Sequence, residues 1–232
     1  MGLSASPTSP TLREQFRALE DERRRTWAPD ALAINIKQRE TLLRAHPATF
    51  HVRPGDVLPA AVLPRTDGGA IALDDLVAAG PAVLVFFRFA GCPACNIALP
   101  YYAQTLSGAL SAAGVPLIAL SPQPVELLGE IVARHALPFP VVSDTALALS
   151  RALGITYTFD DASRAAAAAK GGASHQLNGT DAWELPKPTV IVLDPGRVVR
   201  FVDVSPDWMD RTDATTILNA LSLRDNVRSH AA

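Results

Sequence analysis

The spacing of apolar positions changes several times along the chain, and each change predicts an element. Between Thr11 and Ala45, Leu and Ile recur near a period of 3.6 within the charged stretches TLREQFRALEDERRRTW and DALAINIKQRETLLRAH. That pattern predicts two amphipathic helices interrupted at Pro29. From His51 the period shortens. VRPGDVLPAAVLPRTDGGAIALDDL predicts a loop, a short strand, a turn at Asp67-Gly68-Gly69, a second short strand and a helix start near Asp74. PAVLVFFRF is then an almost unbroken aliphatic, β-branched and aromatic run, as expected of a strand covered on both faces. NIALPYYAQTLSGALSAAG returns to helical spacing, with Pro100 predicting a kink and Gly114 an end.

The second half continues the alternation. VPLIALSPQ and FPVVSD read as strands, PVELLGEIVARHAL and TALALSRALG as helices. Strand, helix and strand in succession imply a parallel βαβ core and an α/β fold. Residues 157–184, with AAAAAK, GGAS and NGTD, have weak periodicity and predict a short helix plus an exposed loop. PTVIVLD and RVVRFVDV predict a hairpin around Pro195-Gly196, followed by a last helix from about Thr212 to Leu223. The expected organisation is a leader with a helical extension over 1–50, a main domain over 51–223 and a tail over 224–232.

Charge narrows the partners. The formal net charge is −2 and the sequence pI about 6.2, so no basic field draws in nucleic acid or an anionic membrane. The cluster Arg23 to Arg25 is expected to be a solvated polar face. No run approaches the 18 or more apolar residues of a membrane span, and MGLSASPTSP has neither a basic nor an apolar signal region, so a cytoplasmic location is expected.

Chemistry concentrates at one place. The only two cysteines of the 232 residues stand in FFRFAGCPACNIALPYY, at C-x-x-C spacing directly after the buried strand. Strand, Gly91 and Cys-Pro-Ala-Cys place Cys92 near the N-cap of the next helix and Pro93 in its first turn. Cys92 is then expected to be exposed to free N–H groups and the positive end of the helix dipole, which favour a thiolate. Cys95, one turn on, is expected to be more shielded and near enough to close a disulfide with Cys92. A closed zinc site needs four ligands. There is no second C-x-x-C, and His46, His51, His135, His175 and His230 show no paired ligand spacing, so neither metal nor organic cofactor is expected. His135, at a helix end, and His175, in the loop, have no spacing that makes either a base for a cysteine.

CPAC followed by helix, strand and helix, then ELPKPTVIVLD opening a hairpin, and a final helix, resembles the thioredoxin superfamily. PGDVLPAAVLPRTDGGAIALDDLVAAGPAVLVFFRFAGCPACNIALPYY, IALSPQ, LPFPVVSDTALALSRALGITY and LPKPTVIVLDPGRVVRF together resemble the peroxiredoxin-like branch of the alkyl hydroperoxide reductase/thiol-specific antioxidant family, over about residues 51 to 223. The resemblance implies a thioredoxin-like fold, a central mixed sheet flanked by helices. It also implies an antioxidant thiol-disulfide oxidoreductase acting on a peroxide or an oxidised partner, with a thioredoxin-like or glutathione-dependent reductant; a homodimer is left open. In the family pattern P-x-x-x-T-x-x-C, the attacking cysteine falls on Cys95, the threonine slot on Cys92 and the proline slot on Arg88. The arginine usual on a late strand falls at or beside Pro188 and is absent. Arg88 either supplies the positive charge from another direction or is a strand-end arginine reaching solvent. Pro188 matches the cis-proline of thioredoxin-like proteins, opposite the first cysteine, and is expected to be cis; Trp183 beside it either lines a substrate surface or packs.

Two registers therefore compete for the nucleophile. The helix terminus favours Cys92, and the family pattern favours Cys95. Alternatives to a peroxidase are a protein-disulfide reductase attacking through Cys92 and an interaction protein whose dithiol is incidental.

Overall fold

The computed structural model describes residues 10–46 and 51–223. The expected leader and tail, and His230, lie outside the described residues, as does the segment 47–50 at the expected domain boundary.

The apolar run after Pro81 becomes β3 (Ala82–Phe86), the middle of a five-stranded sheet of order β5-β4-β3-β8-β9. β4 (Leu117–Ser121) and β5 (Val141–Ser143) run parallel to β3, while β8 (Thr189–Asp194) is antiparallel to β3 and β9 (Val198–Val204) antiparallel to β8. The sheet is mixed, as expected. Its pleat explains why β3 is apolar throughout: Val83 and Val85 join one core cluster, Leu84 and Phe86 the other, on the opposite face. A small hairpin of β1 (Val62–Pro64) and β2 (Ala70–Ala72), with the short α3 (Leu73–Leu76), caps the second cluster.

The first cluster is built by α4 (Cys95–Thr105), α5 (Ser107–Ala112), α6 (Val125–His135) and α10 (Ala214–Ala220). Pro100 does not break α4; the helix runs through it and is interrupted at Leu106 (φ −107°). Beyond β5, α7 (Ala148–Ala152) leads to β6 (Thr156–Thr158), which pairs antiparallel with β7 (Glu184–Pro186). The segment between them holds α8 (Asp161–Ala169) and α9 (Ser174–Asn178), so His175 stands in a short helix rather than a loop. Among the described residues no helix is long and apolar enough to cross a membrane.

The two N-terminal helices form where the 3.6 period places them, α1 at Leu12–Thr26 and α2 at Pro29–Ala45. Thr11 and Glu14 close a capping box at the start of α1: the Thr11 N–H donates to Glu14 Oε2 at 2.8 Å and the Glu14 N–H to Thr11 Oγ1 at 3.3 Å. Pro29 occupies the first turn of α2, where a missing N–H is harmless. Leu12 and Phe16 bury the apolar face of α1 in the first core cluster, which contains both cysteines.

Arg24 and Arg25 are exposed, as expected of a solvated face, but Arg23 is not. It is 5% exposed, donates to Met209 Sδ at 3.4 Å and Asn35 Oδ1 at 3.0 Å, and lies 4.2 Å from the centre of the Trp27 ring. The amphipathic stripe of α1 is wider than its aliphatic residues alone indicate, because the helix packs on the loop between β9 and α10. Arg39 of α2 fastens the same loop. Its Nε and Nη2 donate to the two Asp207 oxygens at 2.7 and 2.8 Å, and its Nη1 to Glu20 Oε2 at 3.2 Å. Gln38 ties α2 to the start of α8 by accepting from the Asp160 N–H at 2.7 Å.

Planar two-point pairing between largely buried groups makes Arg39–Asp207 the strongest polar tie of the extension. Asp207→Ala is expected to cost about 1.5–3 kcal/mol in urea unfolding and to speed maleimide labelling of the cysteines beneath α1. Unchanged stability and labelling would show that the tie does not hold the extension down.

Candidate active site

The loop joining β3 to α4 carries the dithiol, and three polar ties to neighbouring elements fix it. Ser121 Oγ donates to the Arg88 carbonyl at 3.1 Å, and Gln123 Oε1 accepts from the Ala90 N–H at 2.9 Å. Asn96 Nδ2 donates to the carbonyls of Ala90 (2.7 Å) and Cys92 (2.9 Å), while its Oδ1 contacts Arg134 Nη1 at 2.8 Å and His135 Nε2 at 2.7 Å at the end of α6. His135 thus braces the loop and touches neither sulfur.

α4 begins at Cys95 with Ala94 at its N-cap, two residues later than the expected cap, yet Cys92 closes its N-terminus through the backbone: the N–H groups of Cys95 and Asn96 both donate to the Cys92 carbonyl at 3.0 Å. The sequence places the dithiol at a helix start correctly, but not its exposure. Cys92 is 1% exposed and Cys95 fully buried, both as free thiols. Leu19, Arg23, Trp208 and Met209 share a small void with Cys92 and roof it over. The expected exposure of Cys92 fails because α1 and the β9–α10 loop pack across the helix start.

Arg88 does not reach solvent from the strand end. The side chain turns inward, 8% exposed, and its Nη1 donates to Cys92 Sγ at 3.6 Å. Its guanidinium carbon lies 4.3 Å from the centre of the Trp208 ring, 5.4 Å from Phe89 and 5.9 Å from Tyr157, an aromatic cage that favours a cation. Burial works against its charge, but Tyr157 and the two sulfurs outweigh that cost and strengthen its hold on the proton. Burial pushes the Tyr157 phenol up to about 12, opposed by the charge of Arg88.

The two thiols are driven apart. The hydrogen bond from the Cys95 thiol, then the charges of Arg88 and Arg211, hold Cys92 well below the ordinary thiol value against the cost of burial. Burial, then the hydrogen bond and charge of Cys92, push Cys95 well above it. The shifts favour ionisation of Cys92 before Cys95, and a dithiol split in this way can supply one sulfur as nucleophile and the other as resolving thiol.

Sequence reasoning missed Arg211, whose Nη2 lies 3.9 Å from Cys95 Sγ, and the aromatic pair Tyr157 and Trp208. The signal available was Trp208-Met209 standing in an otherwise acidic stretch, PDWMDRTD, an apolar pair that a solvated loop does not need. Trp183 packs, its ring 5.7 Å from Phe159.

Pro188 does not follow a cis bond, contrary to the expectation from the thioredoxin-like resemblance. Among the described residues there is no cis peptide bond, so Lys187–Pro188 is trans. The backbone around it is already engaged: the Lys187 N–H donates to the Ile155 carbonyl at 2.7 Å, and the Pro188 carbonyl accepts from the Ser205 N–H at 2.8 Å. Pro188 shares a small void with Cys95 and Arg211 rather than facing Cys92 across an open surface.

With this geometry in hand, the chain can be set against known proteins. The profile of the AhpC/TSA family matches residues 54–202. Two candidate peroxiredoxins from two strains of Mycobacterium tuberculosis are each 33% identical over 97 residues, 41% of this chain and 60% of the relative. The aligned part thus spans less than two thirds of their length. The crystal structure of peroxidoxin BcpB from Mycobacterium tuberculosis superposes with a TM-score of 0.57 at 22% identity, covering 77% of this chain and 100% of that one. Reduced Prx3 from Vibrio vulnificus, crystallised with H2O2, gives a TM-score of 0.58 at 22% identity, covering 73% and 99%. These likenesses establish the thioredoxin-like peroxiredoxin fold.

The Arg88 contact makes a direct prediction. In Arg88→Met, iodoacetamide labelling of Cys92 at pH 7 is expected to slow by about tenfold or more, and the midpoint of its pH profile to move to the alkaline side. The sign follows from a cation holding the midpoint down: removing it lets the midpoint rise. An unmoved profile would show that Arg88 does not govern the thiol.

Proposed function

The chain belongs to the AhpC/TSA family, and on that premise we propose that it is a thiol-dependent peroxide reductase in which Cys92 attacks and Cys95 resolves. The observation that carries this assignment is the buried Arg88 guanidinium donating to Cys92 Sγ at 3.6 Å. It favours the thiolate on the sulfur that occupies the family's threonine slot, over the family register that points to Cys95.

The Cys92 thiolate attacks the distal oxygen of a hydroperoxide. The S–O bond forms as the O–O bond breaks, and the departing alkoxide or hydroxide takes up a proton from solvent to leave as an alcohol or water. Cys92 becomes a sulfenic acid. Conversion of the thiolate to this neutral species removes the charge that disfavours ionisation of Cys95, and Arg211 at 3.9 Å favours it. The Cys95 thiol gives up its proton, its sulfur attacks Cys92, and hydroxide leaves as water. The resulting Cys92–Cys95 disulfide is reduced by an external dithiol of the thioredoxin type or by a glutathione-dependent system.

Enclosure supports a peroxide over a protein disulfide as the first oxidant. Cys92 is 1% exposed beneath α1, and the backbone at Lys187 and Pro188 is spent on Ile155 and Ser205, leaving no strand edge there for a partner's disulfide. A small peroxide needs neither. An external reductant must still reach the disulfide, which requires the cover over Cys92 to lift after oxidation.

With one equivalent of peroxide, Cys95→Ser is expected to accumulate a dimedone-reactive sulfenate at Cys92, whereas wild type loses two hydrogens per monomer as the disulfide closes. Cys92→Ser is expected to be oxidised at least about a hundredfold more slowly. Rapid sulfenate formation at Cys95 in Cys92→Ser would reverse the assignment.

A further inference from the structure

Beside the dithiol lies a cavity that the steps above do not use. About 160 Å3 in volume, it is walled by Trp27, Ala31 and Ile34 from the N-terminal extension and by Tyr157, Phe159 and Trp208 from the main body. Ala166 and Ala167 of α8 complete the wall with small side chains, and Lys170 stands at the exposed mouth. An apolar cavity of about 150 Å3 holds a benzene-sized guest. The lining is predominantly hydrocarbon and aromatic, with Asn35, Gln38 and Ser163 as polar points besides Arg88 and Lys170, which suits a compact organic group that carries a polar end.

Arg88 and Trp208 belong both to this cavity and to the void around Cys92. The Arg88 and Tyr157 side chains, both in the cavity wall, interact with each other, but Arg88 Nε and the Tyr157 hydroxyl are buried and neither has a hydrogen-bond partner of good geometry. Buried donors left unmade cost free energy that an incoming acceptor recovers. The acceptor that fits is an oxygen carried on an apolar body. Trp27, Ala31 and Ile34 precede the residues matched by the family profile, 54–202, so this wall lies outside the matched segment.

We propose that the cavity is the binding site for the organic group of a compact aralkyl or branched-alkyl hydroperoxide, and that the N-terminal extension makes the enzyme selective for such substrates over hydrogen peroxide. The inference rests on the peroxidase reading above. The hydrocarbon group occupies the space among Trp27, Ile34 and Phe159, and the peroxidic oxygens take the hydrogen bonds that Arg88 Nε and the Tyr157 hydroxyl lack. Arg88 then contacts the peroxide and the Cys92 thiolate at once. After attack, the alcohol derived from the tail leaves through the mouth near Lys170. Hydrogen peroxide has no group to place in the cavity and gains nothing from it.

The test fills the cavity. Cumene hydroperoxide and hydrogen peroxide are compared as substrates of wild type, Ala167→Phe and Ala168→Phe; Ala168 is on the same helix, exposed and outside the cavity wall. The ratio of kcat/KM for cumene hydroperoxide to that for hydrogen peroxide is expected to exceed one in wild type. It should fall about tenfold in Ala167→Phe, the scale on which apolar pockets discriminate, and hold in Ala168→Phe. A ratio unaffected by Ala167→Phe, or one that falls equally in both variants, overturns the proposal. The corresponding alcohol, 2-phenyl-2-propanol, is titrated against each reduced protein with tryptophan fluorescence as readout, since Trp27 and Trp208 are in the wall. Saturable binding by wild type and Ala168→Phe, weakened in Ala167→Phe, supports the site without any turnover. Such binding in a protein that reduces neither peroxide would count against the peroxidase reading while leaving the cavity's ligand class standing. No binding by wild type overturns the cavity proposal itself.

Discussion

A guanidinium buried against a thiol sets the terms for the rest of this structure. Among the described residues Arg88 makes no ion pair with a carboxylate, and an unpaired buried cation costs several kcal/mol. The aromatic cage of Trp208, Phe89 and Tyr157 offsets part of that cost. An anion at Cys92 Sγ, 3.6 Å from Arg88 Nη1, offsets more when that thiol ionises. Cation and thiolate each make the other tolerable in a site that excludes water, so the reactive state of the sulfur is also the state the surrounding charge favours.

Holding that pair together takes several elements. The buried central strand delivers Arg88 to one side of the loop, Ser121 and Gln123 fix the loop's backbone from the end of β4, and Asn96 with His135 ties it to α6. The N-terminal helices supply what the sheet cannot. They lie over the cysteines, keep solvent from the sulfur and complete the apolar cavity beside Arg88. Ordinary surface helices could have remained loosely attached; Arg23 and Arg39, buried on Met209, Asn35 and Asp207, fasten them instead.

Much of this was legible from local pattern. The buried strand, the hairpin of β8 and β9, the helix at the dithiol and the two N-terminal helices all follow from apolar period and from Pro and Gly placement, because those signals depend on each element's own residues. The misses share a cause: they depend on what packs against what. The expected exposure of Cys92 followed from a helix start considered alone and failed once α1 covered it. The charge of Arg23 points to solvent only while its neighbour in the fold, Met209, is out of view. Pro188 was assigned by likeness to thioredoxin-like proteins, whereas its carbonyl and the preceding N–H are committed to Ser205 and Ile155, and the bond is trans. Arg211 reaches Cys95 across 116 residues of chain, a distance that no local pattern spans.

The claim on which the account turns is that the two sulfurs ionise far apart, with Cys92 first. Site-resolved carbon NMR of the reduced protein labelled at cysteine Cβ, followed through a pH titration, reads the two groups separately. The Cys92 signal is expected to complete its change well to the acid side of an ordinary thiol while Cys95 remains protonated well to the alkaline side. If Cys95 ionises first, or both change together near the ordinary thiol value, Arg88 does not select the nucleophile and the assignment of attacking and resolving sulfurs is wrong.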